Sequence, residues 1–351
     1  MTQTSAHPGT LGEVSMDGKL KELWMEIGGT CHLRCDYCFA NSGGIDRNPE
    51  NLSLPKTLST LEEFKQLGGR YLGIVGAGEP FHARNIEDLF AVLDTTKDLE
   101  RVTVFTTGDL ITDKTIDRLD KYPNTRLLIK YNSSNPEVQD RIVHSKGYTE
   151  RRAQALERLI SRGYASGQNG RLGIVTSIFP ENLDEMPDLL RYARQNNLIF
   201  DADTVLPEGR GESCAKSNSD KIREVLKRLQ EVDASEFGNI WEITGSYIAS
   251  PPCTRFSSHL YMNKTGRVQP CVGSQKVELG NVKTQTLAEI WNSPIAKIIR
   301  EHNYTGKCTT CRNYQEHKCF SCLGRATEDL STESLERDKA VHTIGCFNYK
   351  E

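Results

Sequence analysis

Long apolar runs are missing. No stretch of about 18 hydrophobic residues occurs in the 351-residue chain, which excludes a membrane-spanning helix. An excess of either charge is missing too. The 44 basic side chains stand against 47 acidic ones, a net charge of -3, so bulk electrostatics would not hold this protein to nucleic acid. The opening MTQTSAHPGTLGEVSMDGK lacks the basic-then-apolar order of a secretory signal. No internal repeat or low-complexity tract is evident. The expectation is a soluble, cytoplasmic protein with no membrane or nucleic-acid partner. Its length suits one α/β domain of about 250 residues or two to three smaller ones. Methionine and tryptophan are scarce, 5 and 3, and against them cysteine stands out with 11. Cytosolic thiols are kept reduced, so these cysteines point to metal binding or catalysis rather than a disulfide framework.

Between residues 20 and 235, short apolar runs alternate with helical periodicity. Residues 23–27, 71–75, 102–106, 127–131, 172–176 and 200–205 read as strands. A helix is expected to open at Ser59, with Glu62 in capping-box spacing, and others from Thr149, over 182–195 and over 219–232. Strand–helix units in series imply parallel strands with right-handed crossovers, in an open doubly wound sheet or a full or partial barrel. Either way, chemistry belongs in the loops after the strands. Beyond about 235 the texture changes: a hairpin of HLYMN and RVQPC joined at Lys264-Thr265-Gly266, a helix over 286–302 interrupted near Pro294, then a cysteine-rich tail too poor in apolar residues to hold a core unaided.

Three cysteines follow the first strand as Cys31-x3-Cys35-x2-Cys38, a spacing that can converge thiolates on one cluster. Three ligands on a 4Fe–4S cube leave one iron open. The competing reading is a Cys3His zinc site with His32, although His32 directly follows Cys31, which makes tetrahedral ligation by both awkward.

A strand followed by C-x3-C-x2-C, with the aromatic Tyr37 before the last cysteine, resembles the signature of radical S-adenosylmethionine (SAM) enzymes. Gly76-Ala77-Gly78-Glu79-Pro80 after the second strand resembles that family's Gly-Gly-Glu segment, with Ala77 replacing its first glycine. Thr106-Thr107-Gly108 resembles its Thr-Asn-Gly turn, and Asn132-Ser133-Ser134 stands where its ribose-contacting residues stand. The resemblance implies a partial (β/α)6 barrel over residues 20–235, after a polar segment over 1–19. It further implies that Glu79, beside Gly78, accepts from the SAM amino group, that the backbone near Tyr37 meets the adenine, and that Asn132 or Ser133 holds the ribose. The family's pattern after its fifth strand is poorly matched by Gly173-Ile174-Val175-Thr176-Ser177.

Downstream, Cys253-x12-Gly266-x4-Cys271, Cys308-x2-Cys311-x7-Cys319-x2-Cys322 and Cys346 resemble the SPASM extension, placed here at residues 236–351. The usual C-x2-C-x5-C-x3-C spacing is altered in its second half. The resemblance implies two auxiliary 4Fe–4S clusters: Cys253, Cys271 and Cys322 on the inner one, and Cys308, Cys311, Cys319 and Cys346 on the outer one, with Cys319 and Cys322 interchangeable. Paired C-x2-C motifs are also a zinc-ribbon signature, so that alternative stays open. Cys214 reads either as a small buried hydrophobe or as a hydrogen-atom donor or missing cluster ligand.

As a radical SAM enzyme, the chain would cleave SAM reductively, with electrons from a flavodoxin or ferredoxin, and a 5′-deoxyadenosyl radical would take a hydrogen atom from substrate. Asp203 and Arg210, then Lys130, Tyr131 and Asp201, are the candidates for orienting that substrate. Only 30 residues precede Cys31, fewer than a folded leader-peptide-binding domain needs. The expectation is therefore a small polar metabolite of sugar, aminocyclitol or nucleoside type, with peptide or protein maturation as the alternative.

Overall fold

A computed structural model of the chain describes residues 18–167, 170–206, 208–214, 219–239, 241, 257–274 and 277–300, with 305–306, 312 and 340–341. Six parallel strands form its centre: β1 (Glu22–Met25), β2 (Tyr71–Ile74), β3 (Arg101–Thr106), β4 (Thr125–Lys130), β5 (Leu172–Ile178) and β6 (Ile199–Thr204). They lie in the order β6-β5-β4-β3-β2-β1. A doubly wound sheet needs a reversal of strand order, and none occurs here, so the winding is that of a partial barrel.

Helices α1 (Leu54–Gln66), α2 (Ile86–Thr95), α3 (Asp113–Leu119), α4 (Pro136–Val143), α5 (Tyr148–Ser161) and α6 (Met186–Gln195) fill the crossovers. The short α7 (Gly211–Cys214) and the long α8 (Ser219–Phe237) follow β6. Strand residues alternate between two environments. Met25, Ile74, Val104, Ile129 and Ile174 pack outward with Leu89, Leu156 and Leu189 of the helices, whereas Leu128, Val175 and Ile199 form a separate inner layer against Phe105.

The C-terminal hairpin completes the sheet. Strand β7 (His259–Met262) runs parallel to β1, and β8 (Arg267–Gln269) and β9 (Gly280–Asn281) follow antiparallel. The two cysteine-bearing regions thus share one backbone ladder. A further pair, β10 (Thr305–Gly306) and β11 (Ala340–Val341), is parallel.

Helix α1 departs from expectation. It starts at Leu54, because Ser53 caps it by accepting from Lys56 N and Pro55 presets its first turn. Ser59 sits mid-helix and donates to Lys56 O. The segment expected as one helix over 182–195 is a 3-10 turn at Pro180–Asn182 followed by α6. The expected helix near Pro294 is two: α9 (Leu287–Trp291), whose Thr286 and Glu289 form a capping box, and α10 (Pro294–Arg300). Among the described residues, no helix is long and apolar enough to cross a membrane.

Candidate active site at the mouth of the barrel

The loop after β1 carries Cys31, Cys35 and Cys38. Its first turn needs glycine: a Cβ on Gly29 would overlap the Asp46 carboxylate. Cys31 and Gly44 exchange backbone hydrogen bonds of 3.1 and 2.7 Å, closing the loop on itself. Burial pushes the thiols of Cys31 and Cys35 up to about 12, so near neutral pH they stay protonated until a metal displaces the proton. Lys130 and Arg210 lie close enough to Cys35 to oppose that shift, a cationic flank suited to bound thiolates.

Among the described residues, no three His, Cys, Asp or Glu side chains converge on a single ion. His32 instead places Nε2 at 3.0 Å from the Asp109 carboxylate. A Cys3His zinc site therefore does not fit. Cubane ligands each take a different iron, so three cysteines spaced along one loop suit a cluster.

The Gly76–Pro80 loop lies against this one. Gly78 has φ +82°, and a Cβ there would press within 3.0 Å of Gly29 C and Thr30 O, so glycine permits both the conformation and the approach. Asn85 ties the loops together, donating 2.8 Å bonds to Thr30 O and Glu79 O. Glu79 is buried and accepts from Thr106 Oγ1 (2.6 Å), Phe81 N (3.0 Å) and Thr107 N (2.8 Å). Burial raises its pKa against those bonds. A carboxylate has about four lone-pair sites, so capacity for an ammonium remains. Asp109, just past the Thr-Thr-Gly turn, also accepts from Thr107 Oγ1 and faces Arg151.

Asn132 and Ser133, both buried, differ. Ser133 Oγ donates to Glu185 at 2.7 Å, so its proton is committed. Asn132 Oδ1 accepts from Ser177 N, but its amide nitrogen has no hydrogen-bond partner among the described residues. A buried donor without a partner is costly, and a ligand hydroxyl would relieve it.

On the barrel's inner face, the register sets Lys130 beside Val175 and Val175 beside Asp201, with Asp203 two residues higher on β6. The Lys130 ammonium lies 5.9 Å from the Tyr37 ring centroid, and Tyr37 stacks on Phe179 at 6.2 Å. Burial lowers the Lys130 pKa, opposed by Asp201, Cys35, Cys38 and Asp203. Tyr131, expected beside Lys130, faces the helices instead, with Arg152 at 3.6 Å and Tyr192 at 5.2 Å from its ring. A one-residue step along a strand reverses direction.

Arg210 is engaged on the cysteine loop. Its Nε donates to Cys35 O at 2.8 Å and its Nη2 to Ser42 O, while its backbone N–H bonds Cys38 O. It grips the cysteine loop from both sides. Cys214 is half-buried with its thiol turned to Asp36 O at 3.5 Å, and burial raises its pKa. Both the packed-hydrophobe and the hydrogen-atom-donor readings of Cys214 keep the proton on sulfur, which that burial favours. Cys271 follows β8 in a turn held by Ser274 Oγ, which accepts from Cys271 N and donates to Cys271 O. Cys253, Cys308, Cys311, Cys319, Cys322 and Cys346 lie outside the described residues.

Sequence reasoning missed Asn85, Asp109, Glu26 and Glu185 as organisers of the site. Only Asp109 carried a signal, its position directly after Thr106-Thr107-Gly108.

Comparison with known proteins agrees with this geometry. Residues 25–193 match the radical SAM superfamily and residues 253–312 the SPASM iron–sulfur cluster-binding domain. An AdoMet-dependent heme synthase from Methanosarcina barkeri is 23% identical, over 89% of this chain and 94% of its own. A GTP 3′,8-cyclase from Desulforamulus reducens is 25% identical, over 79% and 88%. In fold, the chain is similar to SuiB of Streptococcus suis, solved with S-adenosylmethionine, at TM-score 0.67 and 15% identity over 90% of this chain and 76% of that one. Its cofactors are SAM and a 4Fe–4S cluster, with auxiliary clusters in the C-terminal domain. The chain belongs to the radical SAM superfamily and is a radical SAM enzyme with a C-terminal SPASM domain.

Proposed function

We propose that this enzyme abstracts a hydrogen atom from a small polar metabolite in a biosynthetic tailoring reaction. The observation that carries this reading is the inner face at the barrel mouth. There Lys130, Asp201 and Asp203 set charged groups beside Tyr37 and the cysteine loop, a lining suited to a compact polar molecule. Relatives aligned over most of the chain, the heme synthase and the GTP cyclase, are named for small molecules.

Cys31, Cys35 and Cys38 hold the cluster that binds SAM. Bound there and reduced by a flavodoxin or ferredoxin, SAM supplies the 5′-deoxyadenosyl radical. Glu79 accepts from its amino group, Gly78 admits the close loop approach, and the backbone near Tyr37 borders the adenine. Of the two ribose candidates, Asn132 is favoured by its unpartnered amide, and Ser133 braces Glu185 instead. Asp203 and Lys130 orient substrate, whereas Arg210 holds the loop and Cys214 packs beneath it. Two auxiliary clusters are assigned to Cys253, Cys271 and Cys322, and to Cys308, Cys311, Cys319 and Cys346. They would accept an electron from the substrate or ligate it.

The test uses full-length, anaerobically reconstituted protein with SAM and dithionite. Replacing Cys31, Cys35 and Cys38 with Ala is expected to abolish 5′-deoxyadenosine formation. Cell extract is then split by ultrafiltration, and each fraction is assayed for raised turnover. Stimulation by the low-mass, protease-resistant filtrate, lost in Lys130→Met, is expected. Stimulation by a protease-sensitive fraction alone would replace the metabolite with a peptide, the alternative raised by the SuiB likeness, since SuiB is also solved with precursor peptide SuiA.

A further inference from the structure

Glu26 directly follows β1, five residues before Cys31, and its carboxylate is turned toward the Gly76–Pro80 loop and the C-terminal hairpin. Its carboxylate is buried and accepts three hydrogen bonds from two distant segments. Oε1 takes Tyr261 OH of β7 at 2.6 Å and Ala77 N of the Gly76–Pro80 loop at 3.1 Å. Oε2 takes Lys264 N, in the turn after β7, at 3.0 Å. Gly76 makes room for it, since a Cβ there would stand 2.5 Å from Oε1.

The same hairpin turn makes a second tie. Lys264 Nζ pairs with Asp46 Oδ2 at 2.5 Å, and Lys264 O accepts from Leu52 N at 2.8 Å. Asp46 in turn donates its backbone N–H to Thr30 Oγ1 at 3.2 Å, one residue before Cys31. One turn of the C-terminal hairpin therefore grips both loops of the SAM site: the Glu79 loop through Glu26 and the cysteine loop through Asp46. At its other end the hairpin carries Cys271.

We infer that Glu26 is a positioning residue, through which the C-terminal hairpin fixes the spacing of the two loops that hold the SAM-cleaving site. A buried carboxylate suits the task because charge-assisted bonds to oriented donors are short and stiff. An amide in its place would aim N–H groups at donors already pointing inward. This hairpin is thus part of the SAM-cleaving machinery in addition to any auxiliary-cluster ligand it holds.

The test compares Glu26→Gln, Tyr261→Phe and Lys264→Met in the full-length reconstituted enzyme. Measured are the SAM KM and kcat for 5′-deoxyadenosine formation with dithionite, and the change in the reduced-cluster EPR spectrum on adding SAM. Glu26→Gln is expected to raise the SAM KM about tenfold and to alter the SAM-induced spectral change, with iron content kept. Tyr261→Phe and Lys264→Met each remove one tie and are expected to raise KM about threefold. They carry the test should Glu26→Gln fail to fold. Variants that merely lose thermal stability, with wild-type KM and an unchanged response to SAM, would overturn the inference.

Discussion

A single carboxylate, Glu79, shows how burial and ligand binding oppose each other. Burial holds its pKa above the ordinary carboxylate range. The folded protein therefore binds that proton more tightly than the unfolded chain does. Its contribution to stability is full below the unfolded pKa and is lost as pH rises through the folded value. The melting temperature of SAM-free protein should fall as pH rises past the ordinary carboxylate range, and Glu79→Gln should flatten that fall. The same substitution should lower SAM affinity at least about tenfold, measured by equilibrium binding, because an ammonium loses its charged acceptor. Lys130 is the mirror case, a desolvated ammonium with no ion pair among the described residues. Lys130→Met should raise Tm by roughly 2 °C, the sign of a residue kept for its ligand, while ending substrate-dependent turnover.

At the scale of elements, contiguous motifs were legible and long-range contacts were not. Cys31, Cys35, Cys38 and the segment 76–80 announce themselves because neighbouring residues on one loop do one job. The strands were legible within two residues, since burial on both faces writes them as apolar runs. Helix α1 was misread because Ser59 and Glu62 copy a capping box inside a helix that Ser53 and Pro55 had already begun. Nothing in Arg210's own loop shows that Cys35 O, 175 positions earlier, takes its guanidinium. Arg210→Met should therefore damage the cysteine loop rather than substrate recognition. Iron retained after desalting should drop and 5′-deoxyadenosine formation should fall with and without substrate, whereas a substrate contact would leave the uncoupled rate intact. Arg210→Lys, able to reach one carbonyl at a time, should restore part of both.

For the molecule as a whole, the composition break near residue 235 reads as a domain boundary, yet the sheet crosses it. Strand β7 pairs with β1 over Glu22–Met25, so the edge strand of the barrel is covered by chain that follows α8. Cutting the chain after Phe237 would expose that edge's backbone groups, strip Glu26 of two donors and uncover Trp291-lined core, a combination that favours aggregation. Cys346 lies far downstream of this hairpin in sequence, so its loss leaves these ties in place. The two changes should separate cleanly. The truncated chain should be insoluble or unable to cleave SAM. Cys346→Ala should keep at least part of its reductive cleavage while losing product formation, read as 5′-deoxyadenosine without matching substrate conversion. A truncated protein that cleaved SAM normally would show the barrel to be self-sufficient and the shared sheet to be incidental.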